Sequence, residues 1–162
     1  MTKIIKMETT MNKQSRTGMS DRTRRVLVDI ICYLFVLLFL YAATSKLMDY
    51  QKFQLQISKS PIITDFASIL AWGVPGLEIV ISIMLLINRT VMLGLYAAFT
   101  LMLLFTLYIY AILNYSDNIP CSCGGVLQRM TWDQHLIFNI VFVILGLIGI
   151  LLQTKINEKR AH

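Results

Sequence analysis

Two cysteines separated by a single residue are the side chains with the most distinctive chemistry in this sequence. Cys121 and Cys123 lie in the stretch Pro-Cys-Ser-Cys-Gly-Gly, within a polar segment between two long apolar blocks. A disulfide requires Cα atoms about 4.4 to 6.8 Å apart, and residues i and i+2 meet that requirement only marginally. Strained, exposed disulfides are readily reduced and are often the catalytic ones. The spacing therefore favours a redox pair.

Three other roles remain open for this pair. The cysteines could form a static disulfide that stabilises a turn, they could be bystander thiols, or they could bind zinc together with Asp133 and His135. Zinc sites usually separate neighbouring cysteines by two to four residues, so that both sulfurs reach one tetrahedral ion. A single intervening residue is unusual for zinc, and we therefore predict redox chemistry and no metal.

His135 and Asn139 follow the cysteine segment at positions i and i+4 of a predicted helix, and so share one face. Thr131 and Gln134 have the spacing of a capping box, which predicts that this helix begins directly after Thr131. An imidazole both accepts and donates protons near neutral pH, so His135 is a candidate to take the proton of an attacking thiol. A polar residue at a lipid boundary also needs no catalytic reason, and that alternative stays open.

The elements that must position these residues are four apolar blocks. Hydrophobic residues make up 56% of the chain and charged residues 15%. The blocks cover residues 26–47, 66–87, 90–113 and 136–152. Each approaches the roughly 20 residues that cross a bilayer as a helix, and none shows the strict alternation of a barrel strand. We predict an all-α integral membrane four-helix bundle over residues 26–154, between a basic cytoplasmic tail (1–25) and a cytoplasmic C-terminal tail (155–162).

The distribution of lysine and arginine predicts the orientation of this bundle. Eleven of the 15 fall on the side that holds both termini, and four fall on the side of the cysteine segment. Loops rich in these residues stay in the cytoplasm. Both termini should therefore be cytoplasmic, and Cys121 and Cys123 extracytoplasmic, where thiols are oxidised. The net charge of +6 is explained by this topological bias and by the attraction of basic residues to anionic lipid headgroups. No nucleic-acid partner is therefore expected.

A carboxylate in the second block is the other feature that calls for explanation. Glu78 follows Pro75 and lies near the predicted middle of the membrane, where an ionisable group is costly and usually faces the bundle interior. Two interpretations remain open. Glu78 marks a functional path through the bundle, or it is a protonated acid that forms a hydrogen bond with a neighbouring helix. Lys46, near the outer end of the first block, meets an anionic group or extends outward to the membrane surface. Cys32 is predicted to be a packing residue.

A short helix is predicted between the first two blocks. Tyr50, Phe53 and Ile57 recur with helical spacing among polar residues, which is typical of a helix in the membrane interface. No phosphate-binding glycine loop and no nucleophile elbow occurs in the sequence, so those enzyme classes are excluded.

Several of these residues together resemble the MauE/DoxX family of redox-associated membrane proteins, over residues 26–154. They are 41–47 (Tyr-Ala-Ala-Thr-Ser-Lys-Leu), Phe53, Ser60-Pro61, Pro75, Glu78, 105–108 (Phe-Thr-Leu-Tyr), 121–124 (Cys-Ser-Cys-Gly), His135 and Asn139. The resemblance implies a small four-helix protein of the bacterial inner membrane. Its namesake, the methylamine utilisation protein MauE, is implied to support disulfide formation in a periplasmic partner, the small subunit of methylamine dehydrogenase.

The expected function is thus thiol–disulfide redox support of an extracytoplasmic client or a thioredoxin-like protein. Cys121, Cys123 and His135 are the candidate catalytic residues, and Glu78 and Asn139 are intramembrane polar residues. A quinone is the candidate electron acceptor, by analogy with other four-helix thiol oxidoreductases. The alternatives are a non-enzymatic accessory or scaffold subunit that docks a partner through the cysteine segment, and a transporter centred on Glu78.

Overall fold

The computed structural model describes residues 19–58, 67–115 and 131–161, and every regular element in them is a helix. The helices are α1 (Asp21–Met48), α2 (Tyr50–Ser58), α3 (Ala67–Leu86), α4 (Val91–Tyr115) and α5 (Trp132–Ala161). Cys121 and Cys123 lie outside the described residues.

Four of these helices, α1, α3, α4 and α5, are long and apolar enough to cross a membrane. Large apolar side chains cover their outer faces, with Leu37 67% exposed, Ile69 70%, Leu93 62% and Ile137 62%. Such surfaces are unfavourable in water and suit contact with lipid. The prediction of an all-α membrane bundle is confirmed, and the protein is a multi-pass membrane protein.

The four long helices form a ring in the order α1, α3, α4, α5, so α3 lies diagonally opposite α5. Phe35, Phe39, Ile81, Leu95 and Met102 are buried between them and form the centre of the core. Cys32 belongs to the same core and is 5% exposed, which agrees with its predicted packing role.

The first and last helices continue beyond their apolar blocks. Asp21 in the first turn of α1 accepts hydrogen bonds from Lys159 of α5 at 2.7 Å and from Arg24 at 3.3 Å. Lysine and arginine are good helix formers, so a helix need not end where its hydrophobic residues do. This contact places the amino end of α1 and the carboxyl end of α5 at the same end of the bundle.

The short helix predicted between the first two blocks is present as α2. Its apolar face packs against the amino-terminal part of α3, where Ile57 and Ala71 are buried together and the rings of Tyr50 and Trp72 lie 5.0 Å apart. Helix α2 thus folds back beside α3 and brings Phe53 towards the bundle.

The turn between α3 and α4 depends on a close approach of backbones at Gly94. A Cβ atom added there would lie 3.1 Å from the backbone nitrogen of Leu85 and 3.2 Å from the carbonyl carbon of Met84. Neither backbone atom can move without shifting the helix, and small residues are typical of such crossings in membranes.

We therefore expect Gly94→Ala to lower the unfolding free energy by about 1 to 3 kcal/mol, the usual range for overpacking. Gly73→Ala is the matched control, because no atom lies within 4 Å of its added Cβ and alanine favours the helix by up to about 1 kcal/mol. Denaturant unfolding of the purified protein in detergent measures both changes. Equal stability of the two variants would contradict the close approach at Gly94.

Candidate functional site

Helix α3 carries Glu78 into the interior of the bundle. Glu78 lies eleven residues beyond the start of α3, about 16 Å along the axis at 1.5 Å per residue. Its side chain is 0% exposed. The carboxylate therefore lies among the helices, as expected for an ionisable group at this depth.

The partner of Glu78 is Lys46, near the end of α1. Its Nζ donates a hydrogen bond to Oε1 of Glu78, and the lysine side chain is only 15% exposed. The long lysine stem is thus directed inward, and outward extension to the membrane surface is not what the structure shows. Two residues that the sequence singled out separately form one buried ion pair.

Aromatic rings from two further helices flank this ammonium group. Lys46 Nζ lies 5.8 Å from the ring centroid of Phe53 on α2 and 5.5 Å from that of Phe105 on α4. A cation within about 6 Å of a ring centroid is attracted by the negative face of the ring, most strongly where water is excluded. The two rings stabilise the charge on the side that Glu78 does not cover.

The start of α5 is fixed by the predicted capping box. The backbone amide of Thr131 donates to Oε1 of Gln134 at 3.1 Å, and the amide of Gln134 donates to Oγ1 of Thr131 at 3.4 Å. These reciprocal bonds satisfy amides that a helix terminus leaves free. His135 and Asn139 consequently occupy fixed positions in the first two turns.

Both of these residues lie on the helix next to α1, at the end of the bundle that holds the ion pair. His135 is half-buried and close enough to Lys46 for their charges to interact. Asn139 lies one turn deeper and is 3% exposed. Since α1 and α5 are neighbours, Lys46 connects the carboxylate of α3 with the polar face of α5.

Two polar atoms in this region are buried without a hydrogen-bond partner among the described residues. They are Oε2 of Glu78, an acceptor, and Nδ2 of Asn139, a donor. Leaving a buried polar group unsatisfied costs about 1 to 3 kcal/mol. The described side chains therefore leave one buried acceptor and one buried donor unused.

We name Lys46, Glu78, His135 and Asn139, with the rings of Phe53 and Phe105, the polar cluster. Sequence reasoning found its polar members one by one but missed the pairing and both rings. The available signal was that Lys46 and Glu78 are opposite charges within apolar blocks. Phe105 was named only within the run 105–108 that carries the family resemblance, and no pattern indicated that its ring faces Lys46.

The metal alternative involved Asp133 and His135 together with the cysteines. Within the part of the chain that the structure describes, no three residues among His, Cys, Asp and Glu are placed to hold a metal ion. Asp133 is exposed on the first turn of α5. The cysteines of that alternative lie in the segment between α4 and α5, outside this description.

Comparison with known proteins gives one match. A family model described as methylamine utilisation protein MauE matches residues 24–152. No curated protein and no solved structure matches the chain. The matched range includes all of α3 and α4, most of α1 and α5, the polar cluster and both cysteines of the predicted redox pair.

Proposed function

The chain belongs to the family of methylamine utilisation protein MauE, and on that premise we propose that it supports disulfide formation in an extracytoplasmic client. The observation that carries this proposal is the pair Cys121 and Cys123 in the segment that joins α4 to α5. Helix α4 ends and α5 begins at the end of the bundle where α1 also ends, the end that holds Lys46 and His135.

The exchange proceeds through a mixed disulfide between client and protein. A client thiolate attacks one sulfur of the Cys121–Cys123 disulfide, and a client–protein S–S bond replaces the internal one. The second client thiolate then attacks the client sulfur of that bond and releases the protein sulfur as a thiolate. The client leaves as a disulfide, and Cys121 and Cys123 remain as a dithiol that has taken up two electrons and two protons.

His135 is the residue that we assign to proton transfer in this exchange. It lies in the first turn of α5, directly after the cysteine segment, and is half-buried. An imidazole that is partly accessible accepts a proton from a thiol and returns it to a leaving thiolate.

The client and the compartment follow from the family and from the charge bias. The family name supports a client in methylamine utilisation, either an enzyme subunit or a thioredoxin-like protein that passes the disulfide on. Positive charge at both termini supports the bacterial inner membrane, with the termini in the cytoplasm and the cysteines outside.

Thiol alkylation of the protein in its native membrane tests this proposal. We expect a measurable fraction of the molecules to hold a disulfide between Cys121 and Cys123. In that fraction the two cysteines should react with a mass-shifting maleimide only after reduction. Cys123→Ser alone should give a reducible adduct with the client, and Cys121→Ser/Cys123→Ser should give none and leave the client thiols free. The matched control is Cys32→Ala, because this buried thiol lies in the helical core.

Two results would contradict the proposal. A cysteine pair that stays fully reduced outside the cytoplasm cannot donate a disulfide. Normal client oxidation without Cys121 and Cys123 would show that the segment only docks a partner, since docking predicts neither the adduct nor the free client thiols.

A further inference from the structure

The polar cluster has unused hydrogen-bonding capacity on two diagonally opposite helices. Oε2 of Glu78 on α3 accepts no bond, and Nδ2 of Asn139 on α5 donates none, among residues 19–58, 67–115 and 131–161. Both side chains are more than nine-tenths buried. Lys46 on α1 and Phe105 on α4 lie between them in the ring of helices.

The chemistry of the cluster restricts what it can bind. Lys46 and Glu78 already balance each other in charge, so a charged ligand would enter without a counterion at a depth where charge is costly. A neutral ligand is therefore favoured. It must dissolve in lipid, present one group that accepts from Asn139 and one that donates to Glu78, and fit beside the ring of Phe105.

We propose that the polar cluster is the head-group site of a membrane quinone. This inference rests on the proposed thiol oxidation, which requires an acceptor of two electrons and two protons that is available within the membrane. A quinone ring carries two oxygens, which accept hydrogen bonds as carbonyls and donate them as hydroxyls. The quinol meets both polar requirements through its hydroxyls, the quinone meets the one at Asn139 through a carbonyl, and both forms dissolve in lipid.

The redox step balances with these two reactants alone. The Cys121 and Cys123 thiols lose two S–H bonds and gain one S–S bond, and the quinone gains two O–H bonds as it becomes the quinol. Asn139 Nδ2 donates to one oxygen of the ring. Glu78 Oε2 accepts from the hydroxyl of the quinol, and Lys46 holds the carboxylate in place through Oε1.

Binding of decylubiquinone to the full-length protein in quinone-free lipid nanodiscs tests the site. The Cys121→Ser/Cys123→Ser protein is used, so that binding is measured without electron transfer. Replacing Asn139 with leucine removes the donor at similar volume, and we expect the affinity to fall about tenfold, the effect of one lost hydrogen bond. The exposed Lys52 provides the control Lys52→Met, which should bind as tightly as the parent.

A second variant removes the acceptor without leaving a buried charge alone. Lys46→Met/Glu78→Leu deletes both charges and leaves no acceptor at position 78. We expect it to bind decylubiquinol, whose hydroxyl donates to that acceptor, at least tenfold more weakly. Thermal unfolding of each variant without quinone shows whether it is folded. Asn139→Leu should remain folded, since it removes a buried donor that has no partner among the described residues.

The outcomes separate this inference from the proposed function. Equal binding by the parent, Asn139→Leu and the double charge variant would show mere partition into lipid and would overturn the site. Absent binding together with cysteines that still cycle would also overturn it and would leave the proposed function standing. Weakened binding in both variants, with cysteines that never form a disulfide, would support the site and overturn the proposed function.

Discussion

Lys46→Met is expected to lower the unfolding free energy by about 3 to 5 kcal/mol, the usual result of removing one partner from a buried ion pair. The substitution leaves the Glu78 carboxylate, 0% exposed, without its ammonium donor. Methionine fills nearly the same volume as the lysine stem, so packing against Phe53 and Phe105 is largely kept. Glu78→Gln should be destabilising for the reciprocal reason, because it leaves a buried ammonium ion between two aromatic rings.

The double variant Lys46→Met/Glu78→Gln should recover most of this loss. Replacing a buried pair as a whole is often neutral or stabilising, since no uncompensated charge remains. A double-mutant cycle should therefore give a coupling energy of about 2 kcal/mol or more. Denaturant unfolding in detergent, followed by circular dichroism, measures all four proteins.

Lys52→Met is the matched control for the lysine substitution. Lys52 lies on α2, in the same outer region, and is exposed. Its replacement should change stability by less than about 0.5 kcal/mol, as surface substitutions usually do. If Lys46→Met were as mild as Lys52→Met, the two charges would not form a buried pair.

Physical reasoning from the sequence was sufficient for the features that depend on local or solvent constraints. Four spans follow from the length of the apolar blocks, because lipid leaves a backbone few alternatives to a helix. The capping box at Thr131 and Gln134 needs only four consecutive residues. The same reasoning placed the start of α1 too late and the end of α5 too early, because hydrophobicity indicates immersion in lipid and does not define where a polar part of a helix begins or stops.

The polar cluster was predicted only in part, because it depends on relations between helices. A lysine near a helix end reaches the membrane surface or the interior with similar ease, and only a neighbouring carboxylate decides between them. Whether Glu78 lies within reach depends on how α1 and α3 pack, which no local pattern encodes. The free atoms of Glu78 and Asn139 are likewise visible only once every neighbour has been placed.

Topology reporters should give an on-or-off result for the cysteine segment. An alkaline phosphatase domain, active only outside the cytoplasm, should be active when fused after residue 118 and silent when fused after residue 161. A fluorescent protein that matures only in the cytoplasm should give the opposite pattern. The reason is the excess of lysine and arginine on the side of the bundle that holds both termini, eleven against four.

The structure makes part of this test independent of the charge argument. Contact between Lys159 and Asp21 places both helix ends on one side, so amino-terminal and carboxy-terminal reporters must agree with each other whatever the orientation. Disagreement between them would contradict the four-helix arrangement. Agreement with both termini outside would reverse the orientation alone, and it would put Cys121 and Cys123 in the reducing cytoplasm, where a disulfide donor for an extracytoplasmic client cannot act.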